Sequence, residues 1–201
     1  LLISLFKEAV SKRPTDNFVI RWIVKMPIRF IINVYLWVFR GTPLLLQLFF
    51  FYFGLTYVTL PHGESITLSM FTAAVISFVL NYAAYFAEIF RGGIQAVDRG
   101  QVEAARSLGL GYFKTLQKVV LPQAIKIMIP PIINQFITTL KDTSILSVIS
   151  VRELTMNSQI IIAKNYMPFE VYSFAAIMYL IVIVALSLFA KWVERRLKHD
   201  H

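Results

Sequence analysis

The stretch Ser65–Ala87 reads SITLSMFTAAVISFVLNYAAYFA, and no Asp, Glu, Lys or Arg interrupts it. A helix rises 1.5 Å per residue, so about 20 apolar residues cross the roughly 30 Å of a bilayer's hydrocarbon. The runs Gly41–Gly63 and Val171–Ala190 are equally free of those four residue types. Runs of this length are foreign to soluble domains and point to lipid as the solvent. Composition agrees: 57% of the 201 residues are hydrophobic and 15% are charged, against about a quarter charged in soluble domains.

The net charge of +9 raises the question of nucleic acid. The charges fall mostly between the apolar runs and form no continuous face, so no nucleic-acid partner is expected. The chain has no cysteine, which excludes disulfides and thiolate metal sites. His62, His199 and His201 lack metal-ligand spacing.

Leu1–Phe6 is too short to span and is expected to be the end of a helix truncated in this chain. Arg21, Lys25 and Arg29 recur every four residues, opposite Ile20, Ile23, Val24 and Ile28. That pattern predicts an amphipathic segment at the membrane interface, over a solvated basic loop. Residues 1–29 are thus assigned to a helix end and a basic interfacial segment, and residues 30–201 to a transmembrane domain.

Within that domain Thr42-Pro43 suits an N-cap followed by a first helical residue, giving a span from Pro43 to about Leu60. Pro61–Glu64 reads as a tight turn, and a second span runs from Ser65 to about Arg91. Residues 92–124 carry Arg99, Arg106, Lys114 and Lys118 among five glycines and read as a polar connection with short helices. A third span begins near Ile125, interrupted at Pro130-Pro131 and Lys141-Asp142, and a last one covers Phe169–Ala190. The expected fold is all-α: a multi-pass bundle of about five spans, the first truncated. The basic N-terminal segment, the 92–124 connection and the Lys191–Lys198 tail fall on the cytoplasmic side by the positive-inside rule, and they alternate consistently with four spans.

Inside the connection stands Glu103-Ala104-Ala105-Arg106-Ser107-Leu108-Gly109, followed by Leu121-Pro122. This resembles the EAA motif of ABC-importer permeases. Arg40-Gly41-Thr42-Pro43-Leu44, Ala87–Gln95, Leu140–Ser144, Phe169–Tyr172 and Trp192–Arg196 are similar to the polar amino acid permeases of the histidine/glutamine type. The likeness covers roughly residues 30 to 197. It departs at the front, where residues 7–29 are longer and more basic than in that family.

The resemblance implies an importer permease in the cell membrane. It implies two ABC ATPase subunits, a second permease subunit (identical or not), an extracytoplasmic solute-binding protein and an amino acid substrate. ATP and Mg would be bound by the partner subunits. None of the eight glycines is followed by Lys, so this chain has no phosphate-cradling P-loop. No hydrolytic constellation is evident, and the chain is expected to be no enzyme by itself. Gln101, Glu103, Ala104, Ala105, Arg106, Ser107, Leu108 and Gly109 are the expected ATPase-coupling residues. Val102, Ala105 and Leu108 share one side of that helix, small alanines allow close approach, and Gly109 suits a left-handed stop. An ordinary amphipathic surface helix is the plainer account of the segment taken alone.

Arg40, Glu88, Lys141 and Asp142 lie at or near membrane depth. A charge at the bilayer centre costs about 2.5–3.5 kcal/mol on insertion scales, so each is expected to be paired or to face a cavity. Asn81, Tyr85 and Glu88 share a helix face, a candidate lining for the substrate pathway. The competing account pairs Glu88 with Arg91 or Lys141. Gln47 is a weaker pathway candidate. Asp142 and Ser144 sit where the third span is expected to break, as at discontinuous transporter helices, though N-capping of Thr143–Ile149 is the favoured local role for Asp142. Phe49–Phe53 and the three tryptophans are read as lipid contact, packing or an interfacial belt.

Three other functions compete with the importer. A stand-alone channel or secondary carrier has no use for a cytoplasmic docking element. A membrane enzyme would need convergent His or carboxylates at one interface. A permease for a compatible solute or methionine is the nearest alternative, and the Arg40–Leu44 and Ala87–Gln95 matches favour polar amino acids.

Overall fold

The computed structural model describes residues 26–61 and 63–199. The expected helix end at Leu1–Phe6 and most of the basic interfacial segment lie outside the described residues. Regular structure among those described is helical, apart from an isolated antiparallel bridge between Thr59 and Ser65. The helices are α1 (Met26–Gly41), α2 (Leu44–Tyr52), α3 (Met70–Gln95), α4 (Arg99–Ser107), α5 (Tyr112–Thr115), α6 (Leu121–Asp142), α7 (Leu154–Asn165) and α8 (Pro168–His199). Short 3-10 turns follow α2 at Gly54–Tyr57 and α6 at Thr143–Ile149, and a π-turn at Leu116–Val120 joins α5 to α6.

Met70–Gln95, Tyr112–Ile149 and Pro168–Leu197 are each long and apolar enough to cross a membrane. Met26–Gly41 and Leu44–Tyr57 qualify as a pair but are bent by 103° at the break between them. Counting that pair as one span gives the four expected after the N-terminal segment.

Several boundaries differ from expectation. The first span does not start at Pro43 with Thr42 as its cap. The Pro43 carbonyl accepts from the Leu46 and Gln47 amides, so Pro43 is itself the cap residue, and Thr42 Oγ1 turns back to donate to Val38 O at 2.7 Å. Nor does that span reach Leu60, since the α-helix stops at Tyr52. The second span begins at Met70, because Ser69 Oγ accepts the Thr72 amide as an N-cap. The residues before it close a loop instead: Leu60 N donates to Glu64 O at 2.8 Å, Ile66 N to Val58 O at 3.3 Å, and Gly63 takes φ +81°, which favours glycine. The third span runs through Pro130 and Pro131 without the expected interruption, whereas its α-helix does give way at Asp142, to the 3-10 turn Thr143–Ile149. In a membrane, neighbouring helices and local adjustments re-satisfy the backbone groups that proline frees.

The chain divides into two compact units, Leu1–Gln47 with Ser77–Met128, and Leu48–Ile76 with Ile129–His201. In the first, Ile32, Tyr35, Leu36 and Phe39 recur at helical spacing and pack on Ala84 and Ala87 of α3. The alanines let the helices approach closely, and Tyr35 OH donates to the Leu80 carbonyl at 2.7 Å. At the other end of α3, Gly93 faces Met128 of α6, which occupies the space a β-carbon would need.

In the second unit Leu48, Ala74 and Ile149 are buried beneath Tyr52, Ile145, Leu146 and Val151. Helix α7 starts on Glu153, whose carboxylate accepts the Thr155 and Met156 amides at 2.7 and 2.6 Å. Tyr179 OH of α8 donates to the same carboxylate at 3.0 Å. A groove of about 390 Å³ is lined by Leu140, Leu154, Met178, Tyr179, Ile181 and Val182. Pro168 opens α8 at the first helical position, where its missing N–H costs nothing.

Candidate functional site

Helix α1 ends at Gly41, and its last carbonyls lack intrahelical donors. The donor that would reach Phe39 O in a continuing helix is the N–H of residue 43. Residue 43 is proline and has none. Two side chains supply what it lacks. Asn81 Nδ2 donates to Phe39 O at 2.8 Å, and Gln47 Nε2 lies 3.1 Å from the same oxygen. Gln47 Nε2 also meets Thr42 O at 3.1 Å and Thr42 Oγ1 at 2.9 Å. Asn81 Nδ2 donates to Gln47 Oε1 at 3.1 Å, which ties the two amides together. Gln47 and Asn81 are 7% and 5% exposed, so these bonds stand in place of water.

One residue beyond Phe39, Arg40 reaches the opposite end of the expected face. Its Nη1 lies 3.4 Å from Glu88 Oε2, and its guanidinium stands 5.6 Å from the centre of the Tyr85 ring. Glu88 Oε1 pairs with Arg91, and Arg91 Nη1 donates to Gln95 Oε1 at 3.1 Å. Four of the six pathway candidates, Gln47, Asn81, Tyr85 and Glu88, are thus gathered around the break after α1. The pair Glu88–Arg91 is present, and Arg40 joins it.

Asp142 and Ser144 belong to the other unit. Asp142 makes no side-chain cap bond to the Thr143–Ile149 turn, which corrects the favoured local role. Its backbone is still helical, at φ −69° and ψ −18°, whereas a capping side chain reaches back from extended backbone. The turn is fastened from within, by Thr143 Oγ1 to Leu140 O at 2.7 Å and Ser144 Oγ to Lys141 O at 2.8 Å.

The motif segment forms α4, starting two residues before Gln101. Asp98 caps it by accepting the Gly100 amide at 2.5 Å. The sign of this cap in the sequence is an aspartate directly before the helix. At the far end Gly109 takes φ +81°. Its amide donates to Arg106 O at 3.0 Å, and the Leu110 amide to Ala105 O at 3.1 Å. These are the two bonds of a Schellman motif. Ala105 is buried and Val102 half-buried, while Leu108 is 83% exposed, so the expected stripe of Val102, Ala105 and Leu108 loses its last member. Leu108 lies outside the stripe because it is the C-cap, where the chain already leaves the helix. Gln101, Glu103, Ala104, Arg106 and Ser107 are exposed with it. Gln123 Nε2 of α6 donates to Gln101 Oε1 at 2.7 Å and to Val119 O at 3.0 Å, which anchors α4 to the start of the long span.

Comparison with known proteins places these features. A family model described as "Binding-protein-dependent transport system inner membrane component" matches residues 24–199. The chain is 41% identical over 165 residues to the glutamine transport system permease protein GlnP of Escherichia coli strain K12, covering 82% of this chain and 74% of that one. It is 43% identical over 172 residues to the L-cystine transport system permease protein TcyB of Bacillus subtilis strain 168, covering 85% and 71%. Among solved structures, an amino acid ABC transporter crystallised with histidines superposes with a TM-score of 0.81 at 38% identity, over 97% of this chain and 84% of that one. The MetNI methionine ABC transporter shares the fold, with a TM-score of 0.67 at 19% identity over 98% and 86%.

Proposed function

We infer function from one premise: this chain belongs to the family of binding-protein-dependent transport system inner membrane components. It is a multi-pass membrane permease subunit of an ABC importer, and its relatives include permeases named for glutamine, cystine and arginine. We propose that its own cargo is a polar amino acid. ATP and Mg are then held by two ATPase subunits, a second permease subunit completes the pore, and a solute-binding protein delivers the cargo from outside. Hydrolysis belongs to those ATPases, and this chain contributes the path.

The observation that carries the reading is α4. A helix that projects polar and small side chains to one side is usually only a solvated surface. This one is fixed at both ends, by Asp98 and by the Schellman turn at Gly109, and is tied to α6 through Gln101 and Gln123. A push on its exposed face, Glu103, Ala104, Arg106, Ser107 and Leu108, therefore passes to a membrane-spanning helix and is not absorbed in a loop. That is the mechanical property a docking knob for an ATPase needs. The basic residues around it favour the cytoplasmic side, where ATP is.

The test is reconstitution with the ATPase and the binding protein, with hydrolysis followed as amino acids are added singly. Stimulation by glutamine, arginine or cystine is expected, and silence towards every amino acid rejects the cargo class. In parallel, Glu103→Arg is expected to abolish both ATPase co-purification and uptake. An unchanged complex would reject α4 as the docking element.

A further inference from the structure

We propose that Arg40 receives the α-carboxylate of the transported amino acid. This rests on the amino-acid reading above and deepens it. Glu88, which Arg40 meets, lies seven residues before the end of α3 at Gln95. That is about 10 Å inside the helix end. A permanently charged guanidinium beside a spanning helix is paired or faces water or a polar cavity. Its pairing here is partial. Glu88 offers Arg40 one oxygen, at 3.4 Å, while the other is engaged by Arg91.

The remaining geometry leaves a donor edge open. A guanidinium has five N–H donors in a planar fork. Among the described residues Arg40 meets Glu88 through Nη1 and the face of the Tyr85 ring. Its side chain is 38% exposed, and a β-carbon added to the adjoining Gly41 would meet nothing within 4 Å. Tyr85 and Glu88 fix the plane of the guanidinium without consuming the fork. An oriented, accessible fork is what bidentate recognition of a carboxylate requires, and lysine does not reproduce it. The cation held in this network is Arg40, and the ligand group is the anion.

The experiment uses the complete complex, permease with ATPase and binding protein, in proteoliposomes. Radiolabelled glutamine, arginine and cystine are the probes. Arg40→Gln, Arg40→Lys and the double variant Arg40→Gln with Glu88→Gln are compared with the parent, and each must co-purify with the ATPase. Losing a charge-assisted bidentate contact is expected to lower uptake at saturating loaded binding protein about 10-fold or more. Arg40→Lys should recover only part of the rate, and the double variant should stay as slow as Arg40→Gln.

Parental uptake by Arg40→Gln would overturn the proposal. So would recovery in the double variant, because Arg40 would then only neutralise Glu88. If Arg40→Gln does not assemble, Arg40→Lys decides, and a parental rate there shows that the fork is not needed. The same assays in phosphatidylcholine vesicles with and without phosphatidylglycerol separate a lipid phosphate from the cargo. A rate that depends on the anionic lipid in the parent, and loses that dependence in Arg40→Gln, assigns Arg40 to the lipid and rejects the cargo contact. A parent complex that moves no amino acid fails before any substitution is made, so that outcome rejects the amino-acid reading and the proposal together.

Discussion

Asn81 Nδ2 donates to the carbonyl oxygen of Phe39 at 2.8 Å, across 42 residues of sequence, at the point where Pro43 has withdrawn the helix's own donor. A buried side-chain amide thus completes a broken helix on another element. Gln47 shares the task and is bonded to Asn81.

Asn81→Leu is accordingly expected to cost about 1–3 kcal/mol, the usual penalty for stranding a buried polar group. Thermal unfolding in detergent reads this as a lower transition temperature. Because Asn81 and Gln47 share Phe39 O and each other, the loss in Asn81→Ala with Gln47→Ala should differ from the sum of the single losses by at least about 0.5 kcal/mol. Additive losses would show that the two amides act separately.

The close approach of α3 and α6 depends on a missing side chain. Gly93→Ala would drive its β-carbon into Met128, which is 2% exposed and has little room to yield. Overpacking of this kind typically costs about 1–3 kcal/mol. Combining Gly93→Ala with Met128→Ala should recover part of the loss, because the clash is with that one side chain. A fully stable Gly93→Ala variant would mean that α6 moves aside freely.

Much of this architecture was legible from the residues. The charge-free runs Ser65–Ala87 and Val171–Ala190 overlap two of the spanning helices among the described residues, Met70–Gln95 and Pro168–Leu197, because hydrocarbon permits few alternatives. The stop at Gly109 was legible too, since an αL position selects glycine. The start of α3 was not, because Ser65–Ser69 are as free of charge as the helix that follows and only the Ser69 cap separates them. The partners of Gln47, Asn81 and Arg40 were not legible either. Each bond joins elements far apart in the chain, and the only local sign was a proline four residues after Phe39. Asp142 misled because a carboxylate before a turn suits a cap, whereas helical backbone at that residue keeps its side chain from the turn's amides.

At the start of α7, the Glu153 carboxylate serves two backbone amides and the Tyr179 hydroxyl. Glu153→Ala removes all three bonds and is expected to cost about 1–2 kcal/mol, the upper range for an N-cap. Tyr179→Phe removes one bond and should cost about 1 kcal/mol or less. In a Glu153→Ala background, Tyr179→Phe should cost almost nothing, and that coupling is the decisive measurement. An equal cost in both backgrounds would show that the hydroxyl is held elsewhere, Thr155 at 3.4 Å being the neighbour to test.

Gly109 closes α4 with φ +81°, and the Leu110 amide behind it holds the carbonyl of Ala105. A β-carbon in that backbone region costs about 1–2 kcal/mol, although open space around Gly109 means that it would meet no neighbour. Gly109→Ala is therefore strained by conformation alone. Gly109→Asn should be milder, because asparagine tolerates the left-handed region. If α4 is the docking knob, the strain should surface as lost coupling before lost fold. Uptake should fall in the order glycine, asparagine, alanine, while the unfolding temperature of the permease shifts little, since α4 frays without disturbing the spans. A variant series in which uptake tracks the unfolding temperature and not the φ preference would place the effect of Gly109 in general stability.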